Sequence, residues 1–136
     1  MRHQARELAL QILFQKEFSL GIGQDLNWRE ALALYDSSFP SETLKYAEKL
    51  IAGVAQNQAT LDRLIEAQAR HWTLKRMALV DLNVLRLSAF EMLFSDEILN
   101  PKIAINEAVE LAKKYGTTDS GSFVNGILDA MVEKSK

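Results

Sequence analysis

The chain has 136 residues, 48% of them hydrophobic, with 16 Lys and Arg against 18 Asp and Glu, a net charge of −2 and no cysteine. One compact core is within reach at this length, while disulfides, thiolate metal sites and thiolate catalysis are excluded. The overall charge offers no attraction to nucleic acid, so any such binding must rest on a local patch.

The N-terminus lacks the apolar core of a signal peptide, which together with the missing cysteine points to the cytoplasm. Only two prolines and six glycines interrupt a chain rich in helix formers. No alternating run of β-branched residues suggests a strand, so an all-α fold is expected.

A first helix is expected from about Arg2 to Phe18, with Ala5, Leu8, Ala9, Ile12 and Leu13 on its apolar face and Gln4, Glu7, Gln11 and Gln15 on its wet one. Arg2 and Arg6 stand one turn apart beside His3, Leu10 and Phe14, so a cationic edge runs into an aromatic one. Two readings are open: solvated arginines beside a core phenylalanine, or a small site where guanidinium groups meet phosphates and a ring takes a base. Gly21-Ile22-Gly23 ends this helix, and Asn27 caps a short second one that ends near Tyr35.

Ser37-Ser38-Phe39-Pro40 forms a turn, after which Ser41 opens a third helix carrying Leu44, Ala47, Ile51 and Val54 through Gly53. A break is expected near Asn57, with Thr60 capping a continuation that ends near His71. His71 and Trp72 have no second metal ligand at suitable spacing and are expected to plug the joint that follows.

From Met77 to Phe94 apolar side chains recur on almost every side of a helix, so this segment must be surrounded. It is still too charged for a bilayer, since Asp81, Arg86 and Glu91 would each cost about 2.5 kcal/mol or more near its centre. Asp81, Ser88 and Glu91 share a stripe with Met77 and Val84. That stripe is either the strip of a central helix that meets water or a docking surface for a protein. Arg86 is expected in a structural ion pair.

Asn100 and Pro101 give a strong helix start, and Ile105, Ala108, Val109, Leu111, Ala112 and Tyr115 line the next helix. Gly116 is expected to end it in a left-handed conformation, with Lys113 and Lys114 in the last turn. Thr118, Asp119 and Ser120 offer caps for a final helix buried through Phe123, Val124, Ile127, Leu128, Met131 and Val132. Gly126 is expected to allow two backbones to approach. Lys113, Lys114, Tyr115, Asp119, Ser120 and Phe123 crowd one turn, where free N–H groups of the last helix can bind an anion. A well-capped turn explains the same residues, but two patches of one chemistry favour nucleic acid more than either alone.

Arg2 to Gln15, Val80 to Met92 and Ala104 to Asp129, the last with Ala-Ile-Asn-Glu-Ala-Val-Glu-Leu-Ala-Lys-Lys-Tyr-Gly and Asp-Ser-Gly-Ser-Phe-Val-Asn-Gly-Ile-Leu-Asp, resemble the NusB family of bacterial antitermination factors over nearly the full length. The resemblance implies a single domain over 1–136. Two three-helix bundles, about 1–72 and 73–136 and about seven helices in all, would be joined through the central helix. It implies a non-enzymatic protein that binds boxA-type single-stranded RNA together with NusE, a small-subunit ribosomal protein. This would occur in an antitermination complex with RNA polymerase that supports ribosomal RNA transcription, with no cofactor, metal or membrane.

By position, Arg2, His3 and Arg6 fall in the family's RNA-touching N-terminal tract. Phe14, Tyr115 and Phe123 fall at aromatic contacts, and Asp119 and Ser120 in an RNA-facing turn. Met77, Asp81, Val84, Ser88 and Glu91 fall where similar proteins meet NusE. Asn106, Glu107 and Asn125 match structural positions, with Glu107 a candidate partner of Arg86. The family's arginine-rich start is thinned here to two arginines, a histidine and Gln4. If Arg2, Arg6, Lys113 and Lys114 met about four phosphates, log affinity would fall with log salt at a slope near −3. Alternatives are an adaptor that ignores RNA, or a stand-alone relative of the N-terminal module of RNA cytosine methyltransferases.

Overall fold

A computed structural model describes residues 2–69 and 73–134, so the expectation for His71 and Trp72 lies outside the described residues. Six α-helices follow in order: α1 (Arg2–Gly21), α2 (Trp28–Ala33), α3 (Ser41–Ala69), α4 (Leu79–Leu93), α5 (Pro101–Tyr115) and α6 (Ser120–Lys134), with a 3-10 turn at Leu74–Arg76 before α4. The described residues contain no strand, as the composition led one to expect.

Of the caps read from sequence, Asn27 and Asn100 are in place, whereas Thr60 lies inside α3. The Asn27 side chain accepts hydrogen bonds from the N–H groups of Arg29 and Glu30 at the start of α2, and Asn100 does the same for Lys102 with Pro101 in the first turn of α5. The break expected near Asn57 is absent, and α3 continues for 29 residues. Asn57 instead turns its amide back to the Gly53 carbonyl at 2.8 Å, which leaves the helix intact.

Every other large helix touches α4: it packs against α1, α3, α5 and α6, while α1 lies on α3, and α5 on α6. Its residues from Asp81 through Met92 are all buried. The expected docking stripe is therefore largely inside. Val84 is 0%, Glu91 3% and Ser88 4% exposed, and the Ser88 hydroxyl donates to the Ala104 carbonyl of α5. Met77 is buried just before the helix begins, and only Asp81 reaches the edge, at 9%.

Burying charge on such a helix requires a partner for each group. Arg86 meets Asp62 of α3 in a fork at 2.8 and 3.0 Å, donates to Glu17 of α1 at 2.8 Å, and reaches Asn83 within its own helix. Glu107, expected as its partner, is engaged elsewhere. Glu91 takes two hydrogen bonds from Arg6 at 2.8 and 2.9 Å and a third from the Tyr46 hydroxyl, and Glu107 adds a longer contact to Arg6. Arg6, expected to meet phosphates, is thus 5% exposed and committed to the core. Burial opposes its charge, but the hydrogen bond and charge of Glu91 outweigh burial and raise its pKa. Burial, then the bond to Glu91, push the Tyr46 phenol up to about 12.

The close approach expected at Gly126 is not there, because that residue is exposed with open space around it. Gly53 has the role instead: a methyl group there would run into the Phe90 ring of α4. Gly53→Ala is expected to destabilise the fold by about 1 to 3 kcal/mol in urea titrations, and Phe90→Leu in the same chain to recover part of that loss. Arg6→Ala is expected to cost about 3 to 5 kcal/mol by leaving Glu91 buried without its ion-pair partner. The double variant Arg6→Met with Glu91→Leu should be more stable than Arg6→Ala in the same assay.

Candidate nucleic-acid interface

Helix α1 is stitched to α5 by its polar side. The His3 Nδ1 stands 3.0 Å from Glu107, while Glu7 accepts hydrogen bonds from the Lys114 ammonium and, at 3.1 Å, from the Tyr115 hydroxyl. Burial works against ionisation of Glu7, but the bonds from Lys114 and Tyr115 and the nearby charges outweigh it and hold its carboxyl below the usual value. These contacts set Tyr115 opposite the second and third turns of α1.

Between the two helices lies a groove of about 460 Å³ lined by Leu10, Gln11, Phe14, Gln15, Val80 and Tyr115. Phe14 and Tyr115, separated by a hundred residues of chain, therefore face one depression. Phe14 also stacks on Phe18 with ring centres 6.4 Å apart and planes 16° from parallel, so the aromatic surface extends along α1. Phe18, Leu20 and Ile22 continue it as an apolar patch half or more open to solvent, adjoining Leu79.

A second, smaller cleft of about 190 Å³ opens beside the turn between α5 and α6, lined by Arg76, Met77, Ala78, Asp81, Thr117, Asp119, Ser120 and Phe123. The groove and the cleft share the first turn of α4, with Val80 on one and Asp81 on the other. Asp119 is exposed and Phe123 half-buried here. Ser120, expected to face RNA, is 1% exposed and caps the turn, its Oγ accepting the Thr117 N–H at 2.9 Å. Gly116 is extended rather than left-handed, with φ −102° and ψ −153°. What excludes a side chain there is crowding, since a Cβ would meet the Ser120 Oγ and the Ala112 carbonyl.

The cations are more dispersed than the sequence implied. Arg2 turns away to the start of α3, where its guanidinium lies 4.3 Å over the Tyr46 ring and bonds Glu97 at 3.2 Å. Lys114 is held by Glu7, whereas Lys113 is exposed and rests its stem beside Gly121. Exposed Lys75 and Arg76, which sequence reasoning passed over, stand on the 3-10 turn, and Arg76 lines the cleft. The adjacent pair of basic residues just before the central stretch was the available signal. His3, Glu107 and Glu110 bring ligand atoms within 4.8 Å of one another. Glu107 is already engaged by Arg6 and His3, so the grouping reads as charge pairing. Among the described residues no helix is long and apolar enough to cross a membrane.

Comparison with known proteins gives this arrangement a lineage. A model of the NusB family matches residues 3–133. The chain is 48% identical over 128 residues to the transcription antitermination protein NusB of Bdellovibrio bacteriovorus, covering 94% of this chain and 92% of that one. It is 47% identical over 131 residues to the NusB of Anaeromyxobacter dehalogenans, covering 94% and 87%. Among solved structures, T. maritima NusB superposes with a TM-score of 0.88 at 35% identity, covering 98% of this chain and 92% of that one. A structure of the antitermination factors NusB and NusE in complex with double-stranded RNA superposes at 0.81 with 28% identity, covering 98% and 96%. With a family match over nearly its whole length and relatives close to half identical, the chain belongs to the NusB family.

Proposed function

We propose that this chain is a non-enzymatic RNA-binding antitermination factor that takes boxA-type single-stranded RNA together with a NusE-like ribosomal protein, within a transcription complex that contains RNA polymerase. That role places it in the cytoplasm. The observation that carries the reading is the pairing of Phe14 and Tyr115 across one groove, next to a cleft walled by Phe123 and Asp119. Rings that face one open groove suit unstacked bases, which every single-stranded RNA can supply. The NusB neighbour solved with NusE and RNA supports the same pair of ligands for this chain.

The two ligands divide the surface by chemistry. RNA takes the groove and cleft, with Lys113 and Arg76 as the accessible cations, His3 and Lys114 at the edge, Arg2 turned toward Tyr46 and Arg6 withdrawn. The ribosomal protein takes the apolar patch of Phe18, Leu20, Ile22 and Leu79, together with the rim at Met77 and Asp81. Val84, Ser88 and Glu91 act by holding α4 in place beneath that rim. An adaptor without RNA binding would explain the apolar patch and leave the ring-lined groove without a use.

With Arg6 buried, two or three phosphates are neutralised, and log affinity should fall with log salt at a slope near −2. RNA alone should bind weakly, and the ribosomal protein should tighten it by about tenfold or more, each ligand helping the other by the same factor. Anisotropy titrations of boxA-like RNA with and without the partner measure this, and equal affinities would overturn the proposal. Phe14→Ala and Phe123→Ala should each weaken RNA binding by about 1 to 3 kcal/mol while circular dichroism shows a folded chain. Because the Glu7 carboxyl is held below its ordinary 4.5, its contribution to stability is full above that pH and is lost as pH falls through the lowered value. Thermal midpoints of wild type should therefore drop more than those of Glu7→Gln when pH is taken from neutral to well below 4.5.

A further inference from the structure

Two lysines end α5 side by side, and the fold uses them differently. Lys113 is exposed and forms no ion pair among the described residues, whereas the Lys114 ammonium is bonded to Glu7 of α1. The Glu7 oxygen that takes this bond, Oε2, also accepts the Tyr115 hydroxyl at 3.1 Å and stands 3.8 Å from the His3 Nε2. Polar groups of two helices thus converge on one carboxylate oxygen beside the ring-lined groove.

Such convergence is what the oxygen of a bound anion meets in its site, yet here the oxygen belongs to the chain itself. The Glu7 side chain is only 17% exposed, while that of Lys114 is 58% exposed, so the carboxylate sits in the wall and the ammonium reaches into solvent. A phosphate approaching that ammonium has two routes. It can share the ammonium with Glu7 and meet the repulsion of a like charge, or it can draw the ammonium away and leave a largely covered carboxylate without its cation. Either route weakens the phosphate contact. Stacking is not opposed in this way, because a base carries no charge and the Tyr115 ring is held in the groove by its hydroxyl bond to the same carboxylate.

We infer that Glu7 is a built-in competitor for RNA phosphate, whose carboxylate occupies the Lys114 ammonium and so sets how much the phosphate backbone contributes to binding. Glu7 acts through Lys114 and Tyr115 and is therefore a positioning residue. The inference rests on the RNA-binding reading above and deepens it, by naming the residue that holds its phosphate contribution down.

The test is anisotropy with the full chain and a short labelled boxA-like RNA over a series of salt concentrations. Glu7→Gln keeps an acceptor for the Tyr115 hydroxyl and removes the charge. It is expected to bind RNA about fivefold more tightly at low salt, the scale of one surface ion pair. Its plot of log affinity against log salt should be steeper by about 0.7, the share of one added phosphate on a single strand. The gain should be alike for an oligouridine, because phosphate contacts carry no base information. The lysines give a second measurement that leaves Glu7 in place. In the wild-type background Lys113→Gln should flatten the slope by about 0.7 and Lys114→Gln by less, whereas in the Glu7→Gln background the two should flatten it equally.

A folded Glu7→Gln chain that binds RNA no more tightly than wild type, or with an unchanged salt slope, overturns the competitor and leaves the RNA-binding reading standing. Equal flattening by the two lysine variants in the wild-type background does the same, and decides the matter even where Glu7→Gln does not fold. Absence of RNA binding by wild type and variants alike, with and without the ribosomal protein, overturns both.

Discussion

A helix enclosed on every side can carry polar residues only if its neighbours bring the complementary groups to it. Helix α4 carries Arg86 and Glu91 into the interior, and the structure answers with Asp62 and Glu17 for the first and with Arg6 and Tyr46 for the second. These partners come from α1 and α3, so the two ion clusters fix how both helices lie on α4. Apolar burial supplies the drive to compact the chain, but it is indifferent to rotation of one helix against another. Forked guanidinium–carboxylate pairs are not, because two parallel hydrogen bonds are lost together when either helix turns.

This constraint reaches the surface. Once Arg6 is drawn inward, α1 is held in the rotation that presents Leu10 and Phe14 to Tyr115, and Glu7 to Lys114. The ring-lined groove is thus a consequence of a buried charge pair. The same choice strips the interface of a cation, which shifts the expected weight of RNA binding from phosphates to stacking. A protein of net charge −2 can then discriminate for exposed bases, where a strongly basic surface would take any polyanion.

Several local signals were legible in the sequence, though the break near Asn57 and the left-handed Gly116 were not among them. Asn27, and Asn100 with Pro101, cap the helices they were expected to cap, and the all-round apolar pattern of 77–94 marks the enclosed helix. What could not be read were pairings across long separations. Nothing local chooses between Glu107 and the distant Asp62 and Glu17 for Arg86, or shows that Arg6 turns inward while Arg2, one turn earlier, turns to Tyr46. Glycines failed for the same reason: Gly53 and Gly126 look alike in a helical pattern, and only the position of Phe90 separates them. Lys75 and Arg76 carried no periodicity, since they lie on a short 3-10 turn, and so escaped notice beside a cleft that two separate segments build.

The start of α4 joins these threads. Its cap residue, Ala78, offers no side-chain hydrogen bond, and the acidic residue of its first turn, Asp81, sits where the helix dipole favours negative charge. That placement lets the carboxylate stay buried without a direct partner, at a cost offset partly by the dipole. Val80 and Asp81 then face the groove and the cleft respectively, from a helix end whose body is locked by two ion clusters. A ligand seated in either depression presses on the same rigid turn. Coupling between RNA and a protein bound at the neighbouring rim therefore needs no change of fold, only that the first ligand order side chains the second would otherwise have to order.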